Sequence, residues 1–193
     1  MKDLGIIADA ESGGTHTSRT IMFRELRLLL AACPPEADPD VLAEAVLQEN
    51  VLAKKSESTR MRSLRYLREL YVLDRRSMLF RGLRDLWDAD ESAQPLLSLL
   101  CSLARDPLLR ATAGPVLDTP LGGQVDAGML AGAVAERYPD SYSEAVRNKV
   151  GRNAASSWTQ SGHLEGRSTK TRTPPPGTDT TSDRRPTSMP GQR

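Results

Sequence analysis

The chain has 193 residues, enough for one domain with a core and short for two, and its formal net charge of +1 gives no general pull toward polyanions, membranes or acidic ligands. Two cysteines, Cys33 and Cys101, lie in leucine-rich surroundings with no second Cys or His at ligand spacing, which points to buried reduced thiols and to no metal or other cofactor. Apolar runs such as residues 28–33 and 96–104 fall far short of the roughly 20 residues of a membrane span, and the acidic N-terminus lacks a signal-like core. A soluble, cytoplasmic protein with no membrane partner is expected.

Residues 1–17, with the aperiodic stretch "ESGGTHTS", read as a flexible arm. Its glycine pair is not followed by the Gly-Lys-Ser/Thr of a phosphate loop. From Ser18 the pattern becomes helical: Met22, Leu26, Leu29 and Leu30 recur at spacings of three and four, and Pro34-Pro35 ends the run. The stretch "ADPDVLAEAVLQEN" carries its own start and stop. Asp38 is placed to cap orphan amides, Pro39 suits the first helical position, and Asn50 tolerates the left-handed backbone that closes a helix. Val41, Leu42, Ala45 and Val46 form its expected inner face.

After a short turn, Ser56 or Ser58 caps a basic helix over roughly 57–72. Three further helices are expected: 77–87 burying Met78, Leu79, Leu83 and Leu86; 92–105 burying Leu96, Leu97, Leu100 and Leu103; and a short one opened by Asp106-Pro107. Residues 113–123, punctuated by Gly and Pro, read as a loop. Helices over about 126–137 and 141–161 follow, with room for a small hairpin near 114–124 or 163–167. The fold class is therefore all-α, a compact multi-helix domain over 18–166. Residues 167–193, rich in Thr, Ser, Pro and Arg with a single Met, read as a disordered tail.

Charge is unevenly spread. Residues 54–76 hold eight basic and three acidic side chains, and residues 165–193 hold six and three, so the remainder is acidic. Such a pattern orients a polyanion. Catalytic material is scarce by comparison: His16 and His163 lie in no nucleophile or metal motif, and the acids of "DADE" at 88–91 read as helix-end surface. The protein is not expected to be an enzyme.

Segment 39–72, a helix, a turn and a second helix opening with hydroxyls and bases, has the arrangement of a helix-turn-helix reader, though its turn exceeds the tightest form of that motif. Leu64, Leu67 and Tyr71 share one side of the second helix, while Arg62, Arg65, Tyr66 and Glu69 lie roughly opposite. Lys54, Lys55, Ser58, Thr59 and Arg60 cluster at its start, where backbone amides also favour phosphate, and Arg68 extends the row. These eight residues, Lys54, Lys55, Ser58, Thr59, Arg60, Arg62, Arg65 and Arg68, are the candidate DNA-binding set. A solvated arginine face paired locally with Glu57, Glu69 and Asp74 is the competing reading.

The stretch "LQENVLAKKSESTRMRSLRYLRELYVLD" resembles the early region of the BrxA family of bacteriophage exclusion (BREX) defence systems. Residues 148–167, "NKVGRNAASSWTQSGHLEGR", resemble that family's closing helix, with its Trp-x-x-x-Gly-x-Leu element. The resemblance spans roughly residues 18–167, and Lys55, Ser56, Thr59 and Arg60 fall inside the first motif. It implies an all-helical accessory that binds double-stranded DNA beside the other BREX components, a DNA methyltransferase, an ATPase and a phosphatase-like protein. Two alternatives stay open: an adaptor docking on an acidic protein partner without touching DNA, and a helix-turn-helix regulator.

Overall fold

The computed structural model describes residues 13–176. The expected flexibility of residues 1–12 and of the tail beyond 176 falls outside the described residues. In chain order the helices are α1 Phe23–Ala32, α2 Pro39–Leu47, α3 Glu57–Tyr71, α4 Met78–Trp87, α5 Gln94–Arg105, α6 Pro107–Ala111, α7 Ala113–Leu117, α8 Ala127–Arg137 and α9 Glu144–Gln160. Among the described residues the fold is mostly helical, and no helix is long and apolar enough to cross a membrane.

Local chemistry accounts for most helix starts. Asp38 accepts from the Asp40 and Val41 amides, Asp106 from Leu108 and Leu109, Asp126 from Met129, Ser56 from Thr59 and Ser143 from Val146. At the far end of α9, Gly162 has a φ of 78°, its amide bonds to Thr159 O and the His163 amide reaches back to Trp158 O. That is a Schellman closure, which needs a residue without a Cβ penalty at Gly162. Trp158 and Leu164 are buried on either side of it, so the Trp-x-x-x-Gly-x-Leu element is built to end a helix and to anchor the chain at Leu164.

One core cluster gathers α1–α4 with Cys101 of α5 around Leu29, Leu67, Tyr71 and Phe80; a second lies around Ile21, Leu99, Leu109, Val116 and Trp158. A third, Leu108, Val134 and Val150, seals α6, α8 and α9.

The structure departs from the sequence expectations in several places. The chain is not purely α: β1 Gln124–Val125, β2 Leu164–Glu165 and β3 Lys170–Arg172 form a three-stranded antiparallel sheet in the order β1-β3-β2. Two of its strands lie in or beside residues 114–124 and 163–167, where the sequence leaves room for a hairpin; the middle one falls within residues 167–193, expected to be disordered. Lys170–Arg172 is ordered because its backbone pairs on both edges, with Arg172 N bonding Gly123 O at 2.8 Å and Thr173 N bonding His163 O at 2.9 Å. Backbone pairing does not require the apolar side chains whose scarcity suggested disorder.

Residues 13–17, expected to be part of a loose arm, form a seam instead. Thr15–Thr17 is a 3-10 turn with Thr15 and His16 buried. Residues 18–22 continue it, so α1 begins at Phe23 rather than Ser18, after Met22 in a left-handed conformation with φ 52°. The Ile21 amide bonds Ser157 Oγ, the Ile21 carbonyl accepts from Tyr71 Oη, and the Phe23 amide bonds Gln160 Oε1. These backbone groups are committed to other elements and so are lost to a helix. Residues 113–117, expected to be loop, form α7, since Pro115 within its first turn costs no hydrogen bond.

On α2 the expected inner face holds for Leu42, Ala45 and Val46, which are buried, and only Val41 is exposed. The inner faces of two later helices are rotated. Helix α4 buries Phe80, Leu83, Arg84 and Trp87, leaving Met78 and Leu86 outside, because the aromatic pair seven residues apart takes the core; the Trp87 ring packs 6.4 Å from Phe23. Helix α5 buries Gln94, Ser98, Leu99, Cys101 and Ser102, leaving Leu100 exposed and Leu96, Leu97 and Leu103 half-buried. Its inward polar groups are bonded: Gln94 Nε2 to Trp87 O, Ser98 Oγ to Gln94 O and Ser102 Oγ to Tyr71 Oη.

Candidate nucleic-acid interface

Helix α3 is fixed on its inner side by Leu64, Leu67, Leu70 and Tyr71. The connection before it, residues 48–56, is shaped by Asn50 and Ala53, whose φ values are 54° and 50°. The Asn50 side chain brackets Lys54, accepting from its amide at 2.8 Å and donating to its carbonyl at 3.0 Å. Ser56 then caps α3, and its hydroxyl also lies 3.2 Å from Ser58 Oγ and 2.9 Å from Thr59 Oγ1.

Four of the eight candidate residues form one outward strip. Ser58, Arg62 and Arg65 follow the i, i+4, i+7 rhythm of a helix face, and Arg68 lies one turn beyond; all are exposed, as is Lys55 just ahead of the cap. Arg65 reaches Glu69 Oε1 at 3.4 Å, and Arg68 Nη2 touches Pro39 O at 3.5 Å; both heads stay in solvent. The Arg62 side chain has no ion pair or hydrogen bond among the described residues.

The other three are placed differently. Lys54 is half-buried and committed to Glu25 of α1, with 2.8 Å between Nζ and Oε1. Thr59 is partly buried with its hydroxyl on Ser56. Arg60 turns toward the inner side of α3, where its Nε is buried without a partner.

Tyr66, expected on the basic face, is buried. Two guanidinium groups lie over its ring, Arg65 at 4.7 Å and Arg19 at 5.1 Å from the centroid. A hydrogen bond with Ser18, together with Arg65 and Arg19, pulls its phenol below the ordinary value. Arg19 thus joins the α3 surface from the N-terminal seam, and nothing in its local sequence signals that. Beside the arginine strip lies a recess of about 440 Å³ lined by Leu47, Met61, Leu64, Arg65, Arg68, Glu69 and Arg105. Met61 projects into solvent at its edge, so the basic surface has an apolar centre.

The structure also gathers a constellation the sequence pattern did not suggest. His16 Nδ1 lies 2.7 Å from Asp106 Oδ2, and His16 Nε2 lies 2.8 Å from Ser157 Oγ. Three residues separated by up to 141 positions thus take the order of a Ser-His-Asp relay. Ser157 and His16 are fully buried and Asp106 almost so, however, and Ser157 Oγ is occupied by the Ile21 amide and the Asn153 carbonyl. A nucleophile needs space about 3 Å away for the reacting carbon, and here that space holds protein. The relay is a structural pin.

Burial alone would raise the Asp106 carboxyl, but the His16 charge and the hydrogen bonds from His16 and Leu109 outweigh it and hold it below the usual carboxylate range. The thiol of Cys101 is pushed up to about 12 by burial, which makes it inert, and Cys33 is raised in the same direction. Among the described residues no three His, Cys, Asp or Glu side chains are grouped to hold a metal ion.

No protein-family model matches the chain, and no curated protein matches it significantly. The likeness to BrxA proteins therefore rests on the quoted residues.

Proposed function

We propose that this protein is a non-enzymatic DNA-binding accessory of a BREX-type antiphage system, working in the cytoplasm beside the methyltransferase, ATPase and phosphatase-like components. In this reading α2 and α3 act as a helix-turn-helix-like pair and α3 approaches double-stranded DNA with its outward strip. The observation that carries it is the alignment of Arg62, Arg65 and Arg68 on one exposed face of a helix held from behind by the core. Lys55 and Arg19 widen the same positive surface, and such cations displace the counterions condensed on a duplex. Arginines in this role position the protein on phosphates, and base reading requires their further reach into a groove.

Fluorescence anisotropy with duplex DNA across a salt series tests the proposal. Each phosphate contact removed lowers the salt slope by about 0.9. Replacing Arg62, Arg65 and Arg68 together by Ala should flatten the slope by two to three such steps, to order of magnitude. An unchanged affinity and slope would overturn it.

One observation favours a second reading, an adaptor for an acidic protein segment. The recess around Met61 and Leu64 offers an apolar anchor point ringed by Arg65, Arg68 and Arg105, and an amphipathic acidic helix would use both features. Co-purification with partner components from nuclease-treated lysate separates the readings: association through DNA is lost, and direct docking persists.

A further inference from the structure

Helices α4 and α5 each leave large apolar side chains outside the packing formed by the described residues. On α4, Met78, Gly82 and Leu86 follow one another at i, i+4 and i+8 on the outer surface. On α5, Leu100 is exposed, with Leu96 half-buried one turn before it, while Leu103 packs against the second core cluster. Met78, Leu86 and Leu100 are 54%, 55% and 52% exposed, while Arg84, Gln94, Ser98 and Ser102 are buried in the same two helices. Polar groups inside and leucines outside invert the ordinary pattern of a monomer, and the leucines do not stand singly. Met78, Leu86 and Leu100 converge with Leu79, Leu83 and Leu97 on one groove of about 320 Å³ between the helices, floored by Cys101.

We infer that this groove is a homodimer interface in which α4 packs antiparallel against α4 of a second copy, across a twofold axis near Gly82. Three observations favour a second copy over another occupant. First, a Cβ at Gly82 would meet nothing within 4 Å, so the backbone there is open to close approach at the middle of the stripe. Second, antiparallel pairing about that point sets Met78 against Leu86 of the partner subunit on both sides of the axis, so the stripe is its own complement.

Third, the charges beside the stripe are self-complementary. Arg81 and Asp85 are both exposed on the flank away from α5. A twofold axis brings like flanks together, which places Arg81 beside Asp85 of the partner subunit, twice. Within the chain Asp85 uses one oxygen on Arg75, at 2.7 Å, leaving the other for that cross-pair. The opposite flanks bring the Leu97 and Leu100 edges together, so α4 and α5 of two copies make a four-helix interface.

Sedimentation velocity on the full chain tests this inference, which is independent of the nucleic-acid proposal. The expected result is a concentration-dependent dimer that predominates by about 100 µM. Leu86→Glu with Leu100→Glu, both at exposed positions, should weaken association by at least about 100-fold, because two carboxylates per chain enter an apolar contact. The charge pair gives a test of geometry. Arg81→Asp and Asp85→Arg each set like charges opposite one another and weaken the dimer, whereas mixing the two variants restores association as a heterodimer. Circular dichroism melts confirm that each variant is folded. A wild-type chain that stays monomeric at that concentration, a dimer indifferent to Leu86→Glu with Leu100→Glu, or mixed charge variants that fail to associate would each overturn the proposal.

Discussion

His16 and Asp106 face each other across 2.7 Å with no solvent at either side chain, and they join the N-terminal seam to the start of α6. Asp106 is the busier partner. Its Oδ1 caps the Leu108 and Leu109 amides while Oδ2 accepts both from the His16 amide and from its ring. Asp106→Ala strands all four donors in the interior, and we expect a loss of about 3–5 kcal/mol in urea unfolding. Asp106→Asn keeps the capping oxygen and loses the charge, so its cost should be smaller. Because the folded carboxyl sits below its ordinary value of 3.8, this stabilisation is complete above that pH and is lost as pH falls through the folded value.

Much of the local structure could be read from the chain because it depends on neighbours in sequence. Asp38-Pro39, Ser56 and Asp106-Pro107 act on amides two or three residues away, and each cap forms as expected. Which helix face turns inward depends on partners far along the chain. Leu86 and Leu100 fit a helical stripe as well as any residue, yet Phe80, Trp87 and the small side chains of α5 take the interior. The same limit applies to the candidate site: Arg62 and Arg65 were visible as a basic face, whereas Lys54 is diverted by Glu25, and Tyr66 is covered by Arg19. The burial of His16 depends on Ser157 and Asp106, which periodicity does not connect.

The basic residues of α3 should separate in their roles. Lys54→Ala breaks a half-buried pair with Glu25 and should lower stability by up to about 1 kcal/mol, leaving the salt slope of any DNA binding unchanged. Arg62→Ala should do the reverse, with little effect on unfolding and a slope lowered by about 0.9. Parallel urea titrations and anisotropy measurements on the two variants check the contrast.

Helices α8 and α9 pack closely at Gly151, where a Cβ would come under 3.0 Å from the Ala127 carbonyl and 3.1 Å from Ala131 Cβ. Helix propensity favours Ala over Gly by about 1 kcal/mol, yet Gly151→Ala should destabilise by about 1–3 kcal/mol because backbone must move to admit the methyl group. Gly132→Ala on α8 meets nothing within 4 Å and should stabilise by about 0.5–1 kcal/mol. Thermal melts of the two variants should therefore shift in opposite directions.

His163 sets a pH dependence near neutrality. Its ring packs edge-on against Trp158 with centroids 5.2 Å apart, and Nδ1 lies 3.0 Å from Ser161 Oγ. Burial, and then the nearby Arg172 charge, lower its pKa below the ordinary 6.5, outweighing the raising effect of a backbone bond at Ser161. The unfolded chain therefore binds a proton more readily than the folded one between the folded value and 6.5. Stability from this group is complete above about pH 7 and declines as pH falls through 6.5 toward the folded value, because protonation favours the unfolded chain. His163→Gln removes the titrating group and keeps a polar atom for Ser161. Its unfolding midpoint should vary less than that of the native chain between about pH 5 and 7, where most carboxylates of both states stay ionised. Equal slopes in the two proteins would place the pH dependence elsewhere.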